Sequence, residues 1–390
     1  MDIFKKCMEF TAADEAKEKG IYPYFHALES KQDTEVIING KRTIMTGSNN
    51  YLGLTSHPRL IEAAKKAIEQ YGTGCTGSRF LNGTLDLHIK LEKNIAEFLN
   101  KEAAVTFGTG FQANLGIITA LTDRHDYILS DSENHASIVD ACRLSFAKTI
   151  KYKHSDMADL ERILKNIPLD AGKLIVTDGV FSMGGDICKL PDIIDLARKY
   201  NARVMVDDAH GLGMIGAKGR GTAEYFGLEA EVDIIMGTFS KSLACLGGHM
   251  AADKKVVEYV KHKSRPFIFS ASVTPASAAV AYEALEILKE EPERVQKLKD
   301  IADYMRAGFR ELNIPIGNST TAIIPVMTYE DERTFVMTKV LLEEGVYVNP
   351  VVSPAVPQGQ CLLRTSYSAT HTKEQLDFVL SVYKKVWYGK

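Results

Sequence analysis

Five short apolar runs of this chain end in side chains that can titrate or bind an anion. ARVMVDDAH closes on Asp207, Asp208 and His210, VDIIMGT leads into Thr238, Ser240 and Lys241, and KLIVTDGVFS carries Asp178 and Ser182. DYILSDSENH reaches His135, and AAVTF runs into the turn GTGF, which contains Gly110 and Phe111. Lys241 has only small or apolar neighbours in GTFSKSLACLGG. In such a setting an amine's pKa falls, and a neutral amine can add to a carbonyl to form a Schiff base. Asp207 follows Val204, Met205 and Val206, so its carboxylate is expected to be buried and to require a cationic partner, for which a protonated pyridine nitrogen would serve. Taken singly, each residue has an ordinary alternative: a lysine reaching solvent, a helix cap, a structural imidazole, a plain glycine turn. Together they put chemistry at one edge of a sheet, where ligands of open α/β folds sit.

Two other chemistries fit poorly. Gly211, Gly213 and Gly216 match the spacing G-x-G-x-x-G after a strand, but AKGRGTAEYFG follows, and no amphipathic helix starts there to face a pyrophosphate. His135, Asp207, Asp208 and His210 lack HxH or HExxH spacing, so no metal site is expected.

The elements that must hold these residues can be read from the same runs. AAVTF, DYILSD, TIKYK, KLIVTDGVFS, ARVMVDD, VDIIMGT and HMAAD are continuously apolar, not alternating, as strands covered on both faces are. Helical stretches separate them, which predicts a three-layer α/β domain with a mostly parallel, seven-stranded sheet. HPRLIEAAKKAIEQYG predicts a helix with Pro58 at its start and Gly72 past its end, and with Leu60, Ile61, Ala64 and Ile68 on its apolar face. Asn39-Gly40 between EVII and KRTIM predicts a hairpin. The expected organisation is an arm over 1–50, a large domain over 51–285 and a smaller α+β domain over 286–390.

The chain has 390 residues, 47 basic and 50 acidic, for a net charge of −3, and 45% are hydrophobic. That is enough for a large core without staples, and the charge leaves no footprint for nucleic acid. MDIFKKCMEF lacks the apolar centre of a secretory signal, and no stretch reads as a membrane span, so a cytoplasmic protein is expected. Cys7, Cys75, Cys142, Cys188, Cys245 and Cys361 are scattered, without a CxxC pair, and read as reduced thiols.

The motifs TGSRFLNGT, FGTGFQAN, ENHASI, TDGVFSMGGD, VMVDDAHGLG and GTFSKSLACLGG, in this order, resemble those of the α-oxoamine synthases, pyridoxal-phosphate (PLP) transferases of fold type I. The resemblance covers nearly the whole chain. VNPVVSPAVP and GCTGSRFLNGTLDLH are most similar to the branch that joins L-serine to a long-chain acyl-CoA. Relatives that take glycine or alanine, or an acyl-carrier-protein thioester, remain the alternative. The resemblance implies that Lys241 binds the cofactor covalently and acts as the base on Cα, that Asp207 holds the pyridine nitrogen, that His135 stacks on the ring and that His210 donates to its phenolate. It implies a phosphate held by Gly110, Phe111, Thr238, Ser240 and a partner subunit's hydroxyl at the position of Ser270, with Ser182 also beside the cofactor. Arg364 would take the substrate carboxylate, with Asn50 and Ser78 as further substrate contacts. A homodimer with a shared active site follows. With no membrane span expected, the long-chain substrate would be met from the aqueous side, and peripheral contact with a membrane is left open. Two residues depart from the family pattern: Gly184 stands where an acidic residue is usual, and Asp178 where many relatives have Glu.

Overall fold

A computed structural model describes residues 2–389. Its strands are β1 (Glu35–Ile38), β2 (Lys41–Met45), β3 (Ala103–Phe107), β4 (Tyr127–Asp131), β5 (Lys148–Tyr152), β6 (Lys173–Asp178), β7 (Arg203–Asp207), β8 (Ile234–Thr238), β9 (Gly248–Ala252), β10 (Ile323–Tyr329), β11 (Val346–Tyr347), β12 (Asn349–Val351) and β13 (Cys361–Ser366). The seven predicted runs form one sheet in the order β3-β9-β8-β7-β6-β4-β5, parallel except for β9, which runs antiparallel to both neighbours. Successive residues of each strand face opposite sides. Ile175, Val204, Val206, Ile235 and Ala251 enter one core. Leu174, Val176, Met205, Ile234, Met236 and Met250 enter a second core on the other face. Both faces are therefore apolar, which is why these strands read as unbroken hydrophobic runs.

A smaller sheet, β10-β13-β12, is antiparallel throughout and packs a separate core with the helices Glu293–Glu311, Asp331–Glu343 and Lys373–Tyr388. The hairpin forms as predicted: Asn39 and Gly40 have φ of 49° and 69°, the positive values that a tight two-residue turn needs. The far edge of β2 then pairs in parallel with β11, so the hairpin is built into the C-terminal part of the chain. The helix Pro58–Tyr71 also forms, with the His57 ring accepting from the Arg59 amide and with Gly72 at its end. Its buried residues are Leu60 and Ala67, whereas Ile61 and Ile68 stay exposed. The helix is rolled from the face expected: Leu60 and Ala67 turn inward, and Arg59 beside them pairs with Glu283 and Glu290 of the helix Pro275–Glu290.

All six cysteines are free. Among the described residues no helix is long and apolar enough to cross a membrane. No helix begins at Gly216, and the next, Thr222–Phe226, has five residues.

The start of β9 sets the position of the helix Gly110–Leu121. A Cβ placed on Gly248 would lie 2.8 Å from the Gly110 nitrogen and Cα and from the Thr109 carbonyl, backbone atoms that cannot swing aside. Gly248→Ala is expected to push this helix start off Thr238 and to destabilise the fold by roughly 1–3 kcal/mol, read as a lower denaturant midpoint.

Candidate active site

The carboxyl ends of β3, β4, β6, β7 and β8 open on a cavity of about 210 Å³. Its walls include Gly110, Phe111, Asn114, His135, Asp178, Asp207, His210, Thr238, Ser240 and Lys241. Nine of the expected site residues are thus gathered around one space or, for Arg364, linked to it through Tyr51.

At one end lies the start of the twelve-residue helix Gly110–Leu121, capped by Thr109, whose hydroxyl accepts from the Gln112 amide at 3.0 Å. The first-turn amides of a helix are unpaired within it and carry its positive dipole end. Thr238 faces Gly110 so closely that a Cβ there would sit 2.9 Å from its side chain. Its hydroxyl lies 3.0 Å from that of Ser240. Amides and two hydroxyls make a seat for an anionic group without any lysine.

At the other end Asp207 is buried. Its Oδ2 accepts from Asn114 Nδ2 at 2.6 Å, and its Oδ1 accepts from the Ala209 amide at 3.0 Å. The second Asn114 N–H goes to Ser137 Oγ at 2.8 Å, and Ser137 Oγ lies 2.8 Å from His135 Nδ1, which also accepts from the Ser137 amide. Burial lowers the His135 pKa, with Asp207 opposing and Lys241 reinforcing. The neutral ring accepts at Nδ1, so its proton stands on Nε2.

Lys241 is the centre of the charge arrangement. Burial brings its amine down to about 8, against the pull of Asp207 and Asp178 and with help from Arg364, and it is hydrogen-bonded to neither acid. Asp178 is fully enclosed. Burial and the charge of Asp207 raise its pKa well above the carboxylate range. Its Oδ2 accepts from the His135 amide at 3.2 Å. His210 is held neutral by burial and by the positive charges of Lys241 and Arg364. Its Nδ1 shares a 2.7 Å hydrogen bond with the Tyr51 hydroxyl. Arg364, buried on β13, reaches the same tyrosine at 3.3 Å and Asn49 Oδ1 at 3.0 Å, and donates through Nε to the Ser182 carbonyl. A buried amine, a buried carboxylate and an anion seat suit a ligand with a carbonyl, a cationic ring nitrogen and an anionic tail.

The remaining expected residues lie elsewhere. Asn50 spends its side-chain carbonyl on the Leu54 and Thr55 amides, and it is Asn49 that meets Arg364. Ser78 sits in a turn closed by the Gly83 amide, beside the buried pair Arg79–Glu92, and its buried hydroxyl has no partner. Ser182 lines a separate groove of about 940 Å³ and serves Arg364 through its carbonyl. Ser270 accepts from Gln112 at 3.2 Å, outside the cavity wall of its own chain. Asn114 and Ser137 escaped the sequence reading, although Asn114 stands one helical turn after Gly110 and so shares its face. Tyr51 and Asn49 gave no local signal.

Residues 42–382 match the aminotransferase class I and II family. The chain belongs to the aminotransferase class I and II family. Within it, this family member is 53% identical over 375 residues to the serine palmitoyltransferase of Sphingobacterium spiritivorum, covering 96% of this chain and 94% of that one. It is 47% identical over 373 residues to the 8-amino-7-oxononanoate synthase of Thermosipho melanesiensis, covering 96% and 95%. A solved structure of SPT with a PLP internal aldimine superposes with a TM-score of 0.96 at 35% identity, covering 100% of this chain and 99% of the other. The fold type I architecture expected from the motifs is therefore the fold of this family member.

Tyr51→Phe keeps the ring but removes the one side-chain partner of the buried His210 Nδ1. A cost of about 1–3 kcal/mol is expected, measured by denaturant unfolding.

Proposed function

We propose that this chain is a PLP-dependent acyltransferase. It condenses L-serine with a long-chain acyl-CoA, palmitoyl-CoA, to give 3-ketodihydrosphingosine, CO₂ and free CoA, the first step of sphingolipid synthesis. The observation that carries the reading is the half-buried Lys241, whose amine is brought down to about 8 and faces Asp207 across a cavity that ends in an anion seat. Serine palmitoyltransferase relatives at 53% and 52% identity support the choice of substrates.

The residues fit PLP. Gly110, Phe111, Thr238 and Ser240 would hold the phosphate, Asp207 the ring nitrogen, His135 a ring face, His210 the phenolate oxygen and Lys241 the aldehyde carbon. When bound, PLP supplies an electron-withdrawing ring that stabilises negative charge at an amino acid's Cα. The chain's own groups then divide the work. Asp207, fixed by Asn114 and by the Ala209 amide, keeps a proton on the ring nitrogen. Arg364 binds the serine carboxylate, a task for which its guanidinium is suited. Lys241, its amine brought down to about 8, takes the Cα proton and returns one after CO₂ has left. His135 presents Nε2–H to the substrate.

A homodimer with a shared active site belongs to this reading. Ser240 is exposed on the single chain, as are Phe111, Leu246 and Phe269 near it in sequence or across the site. A second copy covering them would bring its Ser270 to the phosphate. The identity to 8-amino-7-oxononanoate synthases favours a second reading, in which glycine or alanine, or an acyl-carrier-protein thioester, replaces one substrate.

Incubating the PLP-loaded protein with a panel of amino acids and acyl-CoAs, followed by product mass spectrometry, decides between them. The expected product is 3-ketodihydrosphingosine from serine and palmitoyl-CoA. A ketone formed only from glycine or alanine would move the chain to the second reading, and no ketone from any pair would end both. Lys241→Ala is expected to lower turnover by at least about 10²-fold with an unchanged unfolding midpoint. Covalent capture of PLP requires the neutral amine, so its rate should rise about tenfold per pH unit below the Lys241 pKa and level off above it. In stopped-flow absorbance the break should fall at about pH 8.

A further inference from the structure

We infer that His154 is a positioning residue for this site: its imidazolium, clamped between Asp131 and Asp186, fixes the loops that present His135 and the Ser182 carbonyl under Arg364, and Gly184 leaves room for the clamp. The role assigned to those two loops rests on the acyltransferase reading above.

His154 follows β5 and does not line the Lys241 cavity. Its Nδ1 lies 2.9 Å from Asp131 Oδ1, and its Nε2 lies 3.0 Å from Asp186 Oδ2 and 3.8 Å from Glu133 Oε2. The ring stands edge-on to Phe181, with centroids 4.4 Å apart. Both nitrogens face carboxylates, so both must carry protons; a neutral ring would leave one of them opposing a carboxylate lone pair to lone pair. Burial pulls the His154 pKa down, but the hydrogen bonds to Asp131 and Asp186 outweigh it and push it up to about 10. With both nitrogens committed, the cluster has no imidazole lone pair to offer a metal, and among the described residues no group is arranged to hold one.

One arm runs to His135. Asp131 Oδ1 also accepts from the Glu133 amide and Oδ2 from the Ser155 amide, each at 2.9 Å. These bonds fix the segment two residues before His135, whose own amide is held by Asp178. The other arm runs to Arg364. Asp186 closes a turn in which its carbonyl accepts from the Phe181 amide at 2.9 Å, while the Gly185 amide donates to the Phe181 carbonyl at 2.8 Å. Ser182 lies inside this turn, and its carbonyl receives Arg364 Nε. Gly184 lies in it too. A Cβ there would stand 2.4 Å from Asp186 Oδ1, so a side chain at this position would press on the carboxylate whose other oxygen, Oδ2, meets His154. The acidic residue usual in the α-oxoamine synthases is replaced here by a glycine, which leaves this space free.

The test uses the PLP-loaded protein. Serine affinity is read from the absorbance change on titration, and hydrogen exchange is followed at residues 133–135 and 182–186. His154→Ala and Asp186→Asn are each expected to weaken serine binding and raise KM about tenfold, with kcat reduced less than about threefold. The double variant should be no worse than either single, because both break the same clamp. His154→Arg, a cation able to span two carboxylates, should recover most of the affinity. Gly184→Ala should weaken binding about threefold. Both loops should exchange faster in every variant that binds serine weakly. Unchanged serine affinity and exchange in His154→Ala, or additive losses in the double variant, would overturn the inference. If His154→Ala does not fold, Asp186→Asn and Gly184→Ala carry the same comparison. A wild-type protein that answers no amino acid, yet shows the expected exchange changes in the variants, would sink the acyltransferase reading and leave the clamp standing.

Discussion

The site depends on keeping one amine out of water beside carboxylates that it does not touch. If Lys241 were paired directly with Asp207, the ion pair would raise its pKa and leave no neutral amine near pH 7. If it were exposed, water would do the same. The structure avoids both by giving Asp207 other donors, Asn114 and the Ala209 amide, so the carboxylate is satisfied without the lysine. Asp178 is handled differently: it is enclosed and pushed toward its neutral form, which limits the negative charge that Lys241 feels. His210 and Arg364 add no negative charge to this balance. Most of the other contacts around the cavity keep these few groups at fixed distances.

Asn114 shows how tightly the parts are joined. Its two N–H groups bridge the Asp207 carboxylate and the Ser137 hydroxyl, so the group expected to meet a ring nitrogen and the imidazole expected to lie on the ring are connected by one carboxamide. Its own carbonyl is buried without a partner. An unsatisfied acceptor of this kind costs stability, and it stands at the point where the helix that offers its amides to an anion meets the end of β7.

Much of this was legible in the sequence, for identifiable reasons. Strands covered on both faces leave an unbroken apolar signature, and residues that directly follow a parallel strand have little choice about which edge of the sheet they occupy, so Asp207, His135, Thr238 and Lys241 could be placed by counting. Asn39-Gly40 announced its hairpin because few other pairs accept two positive φ values. What could not be read depended on contacts between distant segments. Whether Asn49 or Asn50 meets Arg364 turns on the local path of the backbone, which pairs the Asn50 side chain with the Leu54 amide. The same holds for Tyr51, whose partners lie 159 and 313 positions away. The helix Pro58–Tyr71 was placed correctly but rolled, because periodicity gives the width of an apolar stripe, whereas which part of it turns inward depends on the helix it packs against, Pro275–Glu290.

The pairing of β2 with β11 bears on the order in which the molecule can be made. Thr46 donates to the Tyr347 carbonyl across 301 positions of chain, so the hairpin emerges early in synthesis while the strand that covers its edge comes near the end. Through that interval β2 presents an open row of amides and carbonyls, a template for pairing with the wrong chain. Arg364 arrives later still. A nascent chain can assemble the wall that bears Lys241 before it owns the guanidinium, so the link from Arg364 through Tyr51 to His210 closes only when the two ends of the chain have met.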